Sequence, residues 1–191
     1  MTICAVGVLA SLVRADDKAE FKDPKEKASY SIGANWGNSL KRQEVEVDFS
    51  LPSTGGSTFS LKAQRGRKLV LYFYPRDNTP GCTQQGSDFR DAFKDFQKAG
   101  ADIYGISRDS MKSHEAFKAK MKFPFELLSD ADEAVCRQFG VMKMKNMYGK
   151  KVRGIERSTF VVDGGGVLAR EWRGVKVPGH IQEVLNFAKT L

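Results

Sequence analysis

Little in this chain can serve as a resident metal or redox centre. There are three cysteines and two histidines in 191 residues. No Cys-x-x-Cys occurs, which argues against a thioredoxin-type dithiol exchanger. His114 and His180 lie far apart and lack metal-ligand spacing, so no metal site is expected. No haem-attachment pattern or phosphate-cradling glycine loop is present, and no cofactor is implied. No apolar run reaches the roughly 18–20 residues that a membrane helix needs. Any chemistry therefore falls to a side chain.

What is present centres on residues 69–93. Leu69-Val70-Leu71-Tyr72-Phe73-Tyr74 is apolar or aromatic without alternation, the pattern of a strand buried on both faces. Pro75 ends it, and Asp77, Asn78, Pro80 and Gly81 break the loop that follows. Phe89, Phe93 and Phe96 are spaced as one helix face. Cys82 therefore sits where a buried strand hands over to a helix. Unpaired N–H groups and partial positive charge at a helix start favour a thiolate over a thiol, and the thiolate is the nucleophile. The alternative is a small buried hydrophobe.

Pro75-x-x-x-Thr79-x-x-Cys82 resembles the active-site signature of the peroxiredoxins. Tyr72-Phe73-Tyr74-Pro75 through Thr79-Pro80-Gly81-Cys82-Thr83 is similar to one subfamily, the PrxQ or bacterioferritin-comigratory-protein group. The likeness continues in Leu127-Leu128-Ser129-Asp130, Phe139-Gly140-Val141, Tyr148-Gly149-Lys150 and Arg157-Ser158-Thr159-Phe160-Val161-Val162-Asp163, and covers residues 45–191.

This resemblance implies an α/β thioredoxin-like fold, a central mixed sheet flanked by helices. It implies a thiol peroxidase acting on hydrogen peroxide and organic hydroperoxides, with Cys82 as the peroxidatic nucleophile. By the same resemblance Arg157 holds the sulfur ionised and faces the departing oxygen. The Thr79 hydroxyl and the N–H groups of Gly81 and Cys82 grip the peroxide, and Pro75 shields the site. Thioredoxin, glutaredoxin or a small thiol would be the reductant. The chain departs from many relatives at Ser87, where they carry a resolving cysteine. A hydroxyl cannot form a disulfide, so either an external thiol reduces Cys82, as in one-cysteine peroxiredoxins, or Cys136 resolves it after a large movement. Cys136 shares a helical face with Val135 and Phe139, which favours burial.

The rest of the chain reads as strands alternating with helices, an α/β pattern. Strands are expected near 48–52, 58–61, 102–107, 125–128, 157–162 and 167–172. Helices are expected at 110–121, 132–139 and 178–191.

The N-terminus reads differently. Ile3 to Val13 is a short apolar block followed by Arg14-Ala15 and Asp16-Asp17. It reads as a secretory signal over residues 1–15, implying periplasmic or secreted location, or alternatively as a buried helix of a cytoplasmic protein. Residues 16–44 form an expected helical extension: Asp23, Pro24 and Glu26 make a helix start, and Ile32, Trp36 and Leu40 share a face. Lys22 to Gly33 resembles the dimerisation segment of secreted FKBP-type peptidyl-prolyl isomerases, which implies export and self-association. Monomer and homodimer both stay open.

The formal net charge is +8. Lys143, Lys145, Lys150, Lys151, Arg153 and Arg157 cluster, and so do Lys62, Arg65, Arg67 and Lys68. No nucleic-acid module accompanies them, so the first cluster reads as a solvated loop rather than a nucleic-acid surface. Met142, Met144 and Met147 read as packing residues. A secreted dimeric scaffold with an impaired peroxidase site is the alternative to the enzyme.

Overall fold

The structure, a computed structural model, describes residues 48–147 and 150–191. The signal-like block, the helical extension and the isomerase-like segment lie outside the described residues.

The central strand is β3 (Lys68–Phe73), and every residue after Lys68 in it is buried. Its side chains alternate between two apolar layers, as a pleated strand requires. Leu69, Leu71 and Phe73 enter one layer with Ile106, Leu128, Phe139 and Phe160. Val70, Tyr72 and Tyr74 enter the other with Phe89, Phe96, Phe117 and Val184. The continuous apolar run is thus explained by burial on both faces.

Nine strands are described. Seven of them, β1 (Ser50–Ser53), β2 (Ser57–Ser60), β3, β4 (Ala101–Ser107), β5 (Glu126–Ser129), β8 (Ser158–Val162) and β9 (Leu168–Trp172), form one sheet in the order β2-β1-β5-β4-β3-β8-β9. β3 runs parallel to β4 and antiparallel to β8, so the sheet is mixed. Gly55 and Gly56 both have positive φ in the β1–β2 turn, which suits glycine.

Among the described residues, five α-helices flank the sheet. α1 (Pro80–Asp91), α2 (Phe93–Lys98), α3 (Met111–Met121) and α5 (His180–Ala188) contribute to the Tyr72 layer. α4 (Ala134–Gln138) contributes Val135 and Cys136 to the opposite layer. Ser110 caps α3 by accepting from the Ser113 N–H. Ile181, Val184, Leu185 and Ala188 face inward on α5, as their spacing predicts.

Two readings need correction. The helix expected to run through Phe89, Phe93 and Phe96 is broken at Ala92, which closes α1 and opens α2. Phe89 and Phe96 are fully buried on either side of the break, while Phe93 stays partly so. The lysine-rich stretch is not a loop. Met142–Met147 (β6) and Lys150–Ile155 (β7) form a separate antiparallel ribbon. Met142 and Ile155 are paired across it and pack on the core, whereas Met144 is 62% exposed and does not pack. Arg153 pairs with Glu133 at 2.7 Å, and Arg67 with Asp102 at 2.6 Å, so part of the basic excess is locally neutralised.

Candidate active site

The loop after β3 reverses into α1 within a few residues. Asn78 takes φ +57°, a left-handed conformation that asparagine tolerates better than most residues. Thr79 is the extended N-cap residue and Pro80 occupies the first turn, where a missing N–H costs nothing. The first bond of the helix runs from Thr83 N–H to Thr79 C=O at 2.8 Å. The N–H groups of Gly81 and Cys82 precede it and have no helical acceptor. Cys82 lies at this helix start, as its sequence context suggests, and is 2% exposed.

Arg157 reaches the same point from the segment before β8. Its Nη2 donates to Cys82 Sγ at 3.3 Å. Its Nη1 donates to Gln85 Oε1. Gln85 follows Cys82 by three residues, so both face the guanidinium from one side of α1. The planar fork of arginine matches two acceptors held side by side. A Cβ added at Gly81 would stand 3.3 Å from Nη2, so glycine there leaves room for the guanidinium. The backbone of Arg157 is held as well, its carbonyl accepting from Val175 N–H at 2.9 Å.

Thr79, Gly81, Cys82 and Arg157 are therefore gathered at the start of α1. Pro75 lies at the far end of the same loop and is partly buried. The Thr79 hydroxyl donates to Arg76 C=O at 3.1 Å and makes no side-chain cap. That donation leaves its oxygen lone pairs as acceptors.

Cys136 is elsewhere. It packs with Phe73 and Phe139 in the layer on the other side of the sheet from Cys82. Both thiols are free and buried. Burial, together with the hydrogen bond and negative charge of Asp130, pushes the Cys136 thiol well above the ordinary thiol range. Ser87 sits on α1, partly exposed.

Two features of the site were not read from sequence. The first is Gln85, whose only signal in the sequence is its three-residue offset from Cys82 on a helix. The second is a buried polar group under the loop. Asp77 accepts from Tyr74 Oη at 2.8 Å, from Ser113 Oγ at 2.7 Å and from His114 Nδ1 at 2.9 Å. Burial pushes the Asp77 carboxyl up, but the hydrogen bonds from His114, Ser113 and Tyr74 and the charge of His114 outweigh it and leave it below the usual range. Tyr74 is held neutral, chiefly by burial.

Among the described residues, no group of three or more His, Cys, Asp or Glu could hold a metal. No helix among them is long and apolar enough to cross a membrane.

Known proteins resemble this chain over most of its length. Residues 43–171 match the AhpC/TSA family. Peroxiredoxin Bcp of Xanthomonas campestris is 55% identical over 150 residues, 78% of this chain and 94% of that protein. Peroxiredoxin Bcp of Bacillus subtilis is 44% identical, over 75% of this chain and 92% of that one. A solved structure of X. campestris peroxiredoxin Q superposes with TM-score 0.72 at 52% identity, covering 79% of this chain and 96% of the other. A structure of the bacterioferritin comigratory protein of the same species, from work on its alkyl peroxide reduction activity, superposes equally well, at 51% identity over 79% of this chain and 96% of its own. With a cysteine at a helix start, an arginine on its sulfur and these likenesses over most of its length, the chain belongs to the AhpC/TSA family and, within it, to the Bcp/PrxQ peroxiredoxins, which are thiol peroxidases.

Proposed function

We propose that this peroxiredoxin reduces hydrogen peroxide and organic hydroperoxides at Cys82 and that an external thiol completes the cycle. The Cys82 thiolate attacks the terminal peroxide oxygen. The S–O bond forms as the O–O bond breaks, and the departing oxygen takes a proton and leaves as water or an alcohol. The enzyme is left as a sulfenic acid. Negative charge moves from sulfur to the departing oxygen, so fixed positive charge between them lowers the barrier. Arg157 stands where it serves both, and its contact with Cys82 Sγ is the observation that carries this reading. Thr79 and the Gly81 and Cys82 N–H groups then hold the two peroxide oxygens, and Pro75 limits water. The alkyl peroxide work on the X. campestris protein supports the organic hydroperoxide arm.

A reducing thiol condenses with the sulfenic acid, releasing water and forming a mixed disulfide. A second thiol then frees Cys82. The separation of Cys82 and Cys136 by the sheet, and the serine at position 87, favour this one-cysteine-like cycle. Steady-state peroxide consumption with thioredoxin, glutaredoxin and a small thiol in turn tests it. Activity lost in Cys82→Ser and kept in Cys136→Ser is expected. A prompt Cys82–Cys136 disulfide after one equivalent of peroxide would overturn the external-thiol step.

Export belongs to the same proposal and rests on the Ile3–Val13 block and the isomerase-like segment that follows. Mass spectrometry of the secreted or periplasmic protein should find a new N-terminus near Asp16. An intact Met1 in the cytoplasm would overturn it.

A further inference from the structure

The buried group around Asp77 has no role in the scheme above, yet it sits directly beneath the loop that carries Thr79. We propose that Asp77 and His114 are positioning residues for the Cys82 reaction, fixing the loop between β3 and α1 so that Thr79 and the start of the helix meet the peroxide in register. The proposal rests on the peroxidase reading of Cys82.

Asp77 is 5% exposed, His114 is fully buried, and Tyr74 is 1% exposed. An ionised carboxylate accepts only, so His114 Nδ1 bears a proton and donates, as do the Tyr74 and Ser113 hydroxyls. The loop is bound on its main chain as well. Asp77 N–H donates to Asp109 Oδ2 at 2.9 Å, and Ser107 Oγ donates to the same oxygen at 2.7 Å. Ser129 Oγ donates to the Asp109 carbonyl at 2.7 Å. Asp77 is thus tied to α3 through its side chain and to the ends of β4 and β5 through Asp109.

The next residue is Asn78, at φ +57°, and the one after it is Thr79. A left-handed residue between an anchored aspartate and a helix cap persists where its surroundings over-determine it. The anchoring therefore reaches Thr79 through one peptide unit on each side of Asn78. Apolar side chains would fill the same space without burying a carboxylate. The polar group is better explained by the direction it imposes than by packing. His114 Nε2 is also buried, with no hydrogen-bond partner among the described residues. The ring is therefore held by its single bonded edge, the one facing Asp77.

The test compares two reactions of one sulfur. Oxidation of Cys82 by hydrogen peroxide needs the placed loop, whereas alkylation by iodoacetamide needs only an accessible thiolate. Both rates are measured for the wild type, Asp77→Asn, His114→Leu and His114→Asn, with melting temperature recorded for each. Expected is a fall of about 10–100-fold in the peroxide rate for Asp77→Asn and His114→Leu, with alkylation within about twofold. His114→Asn keeps a donor near Nδ1 and should recover most of the loss. Peroxide and alkylation rates that change together, or peroxide rates that do not change, overturn the proposal. Should His114→Leu fail to fold, Tyr74→Phe and Ser113→Ala each remove one bond from the carboxylate and carry the same comparison. A wild type inert to peroxide would instead overturn the peroxidase reading itself.

Discussion

Gly86 lies against the ring of Phe123 so closely that a Cβ added to it would stand 2.4 Å from Cζ. This contact presses the middle of α1, the helix carrying Cys82 and Gln85, onto the aromatic group of Phe117, Phe123 and Phe125. Alanine favours helices over glycine by about 1 kcal/mol, but overpacking a core costs about 1–3 kcal/mol. Gly86→Ala should therefore lower stability or at best leave it unchanged, read as the denaturant midpoint. It should also slow Cys82 oxidation, because α1 must shift to relieve the clash. A stabilised variant with full peroxide reactivity would contradict the close packing.

The guanidinium of Arg157 makes two contacts at once, and a lysine ammonium on a flexible stem does not reproduce that fork. Arg157→Lys should keep the fold and lose about 10²–10³-fold in peroxide reactivity, the usual scale for one electrostatic donor. Gln85→Leu should lose less, since it frees Nη1 without removing charge from the sulfur. Stopped-flow oxidation with melting curves alongside checks both, and equal losses in the two variants would contradict this division of labour.

Cys136 carries a protonated thiol in an apolar layer. Cys136→Ser should leave peroxide turnover with an external thiol intact and reduce stability by about 1–2 kcal/mol, because the smaller, more polar side chain loses contacts in the apolar layer although Asp130 can still accept from its hydroxyl. Turnover assays and urea melts read the two effects separately.

His180 sets a pH dependence of stability. It is 5% exposed and bonded through Nε2 to Thr159 Oγ1 at 2.8 Å. Burial pushes it down from 6.5 to about 4; Glu183 opposes the shift and Arg157 adds to it. Between these values the unfolded chain binds a proton that the folded chain does not. The stabilisation is therefore complete above about pH 6.5 and is lost as pH falls toward 4, by about 2–4 kcal/mol in all. Asp77, held below the usual carboxylate range, gives a further loss at still lower pH. Urea midpoints between pH 4 and 7 should show the first slope in the wild type and a smaller one in His180→Gln.

The wrong readings have identifiable causes. Met142, Lys143, Met144 and Lys145 alternate with period two, which is a strand signal, and the density of charge hid it. The ribbon forms because Met142 and Ile155 can pack on the core from one of its faces. The break at Ala92 followed no proline or glycine. Phe89 and Phe96, seven residues apart, would share a face of an unbroken helix as well, so their burial left no mark of it in the sequence. Nothing local to His114 announces its partner Asp77, 37 residues away in sequence.

The buried central strand, the alternation of strands and helices, and the place of Cys82 at a helix start are all legible in the residues themselves. Those follow from periodicity and backbone chemistry within a few residues. That Arg157, 75 residues away, reaches the sulfur, that Gln85 holds its other arm, that Cys136 stands across the sheet, and that Asp77 is buried against His114 are set by the assembled fold. Those relations depend on which strands pair and which face each side chain takes, and pairing between distant segments leaves no local trace in the order of residues.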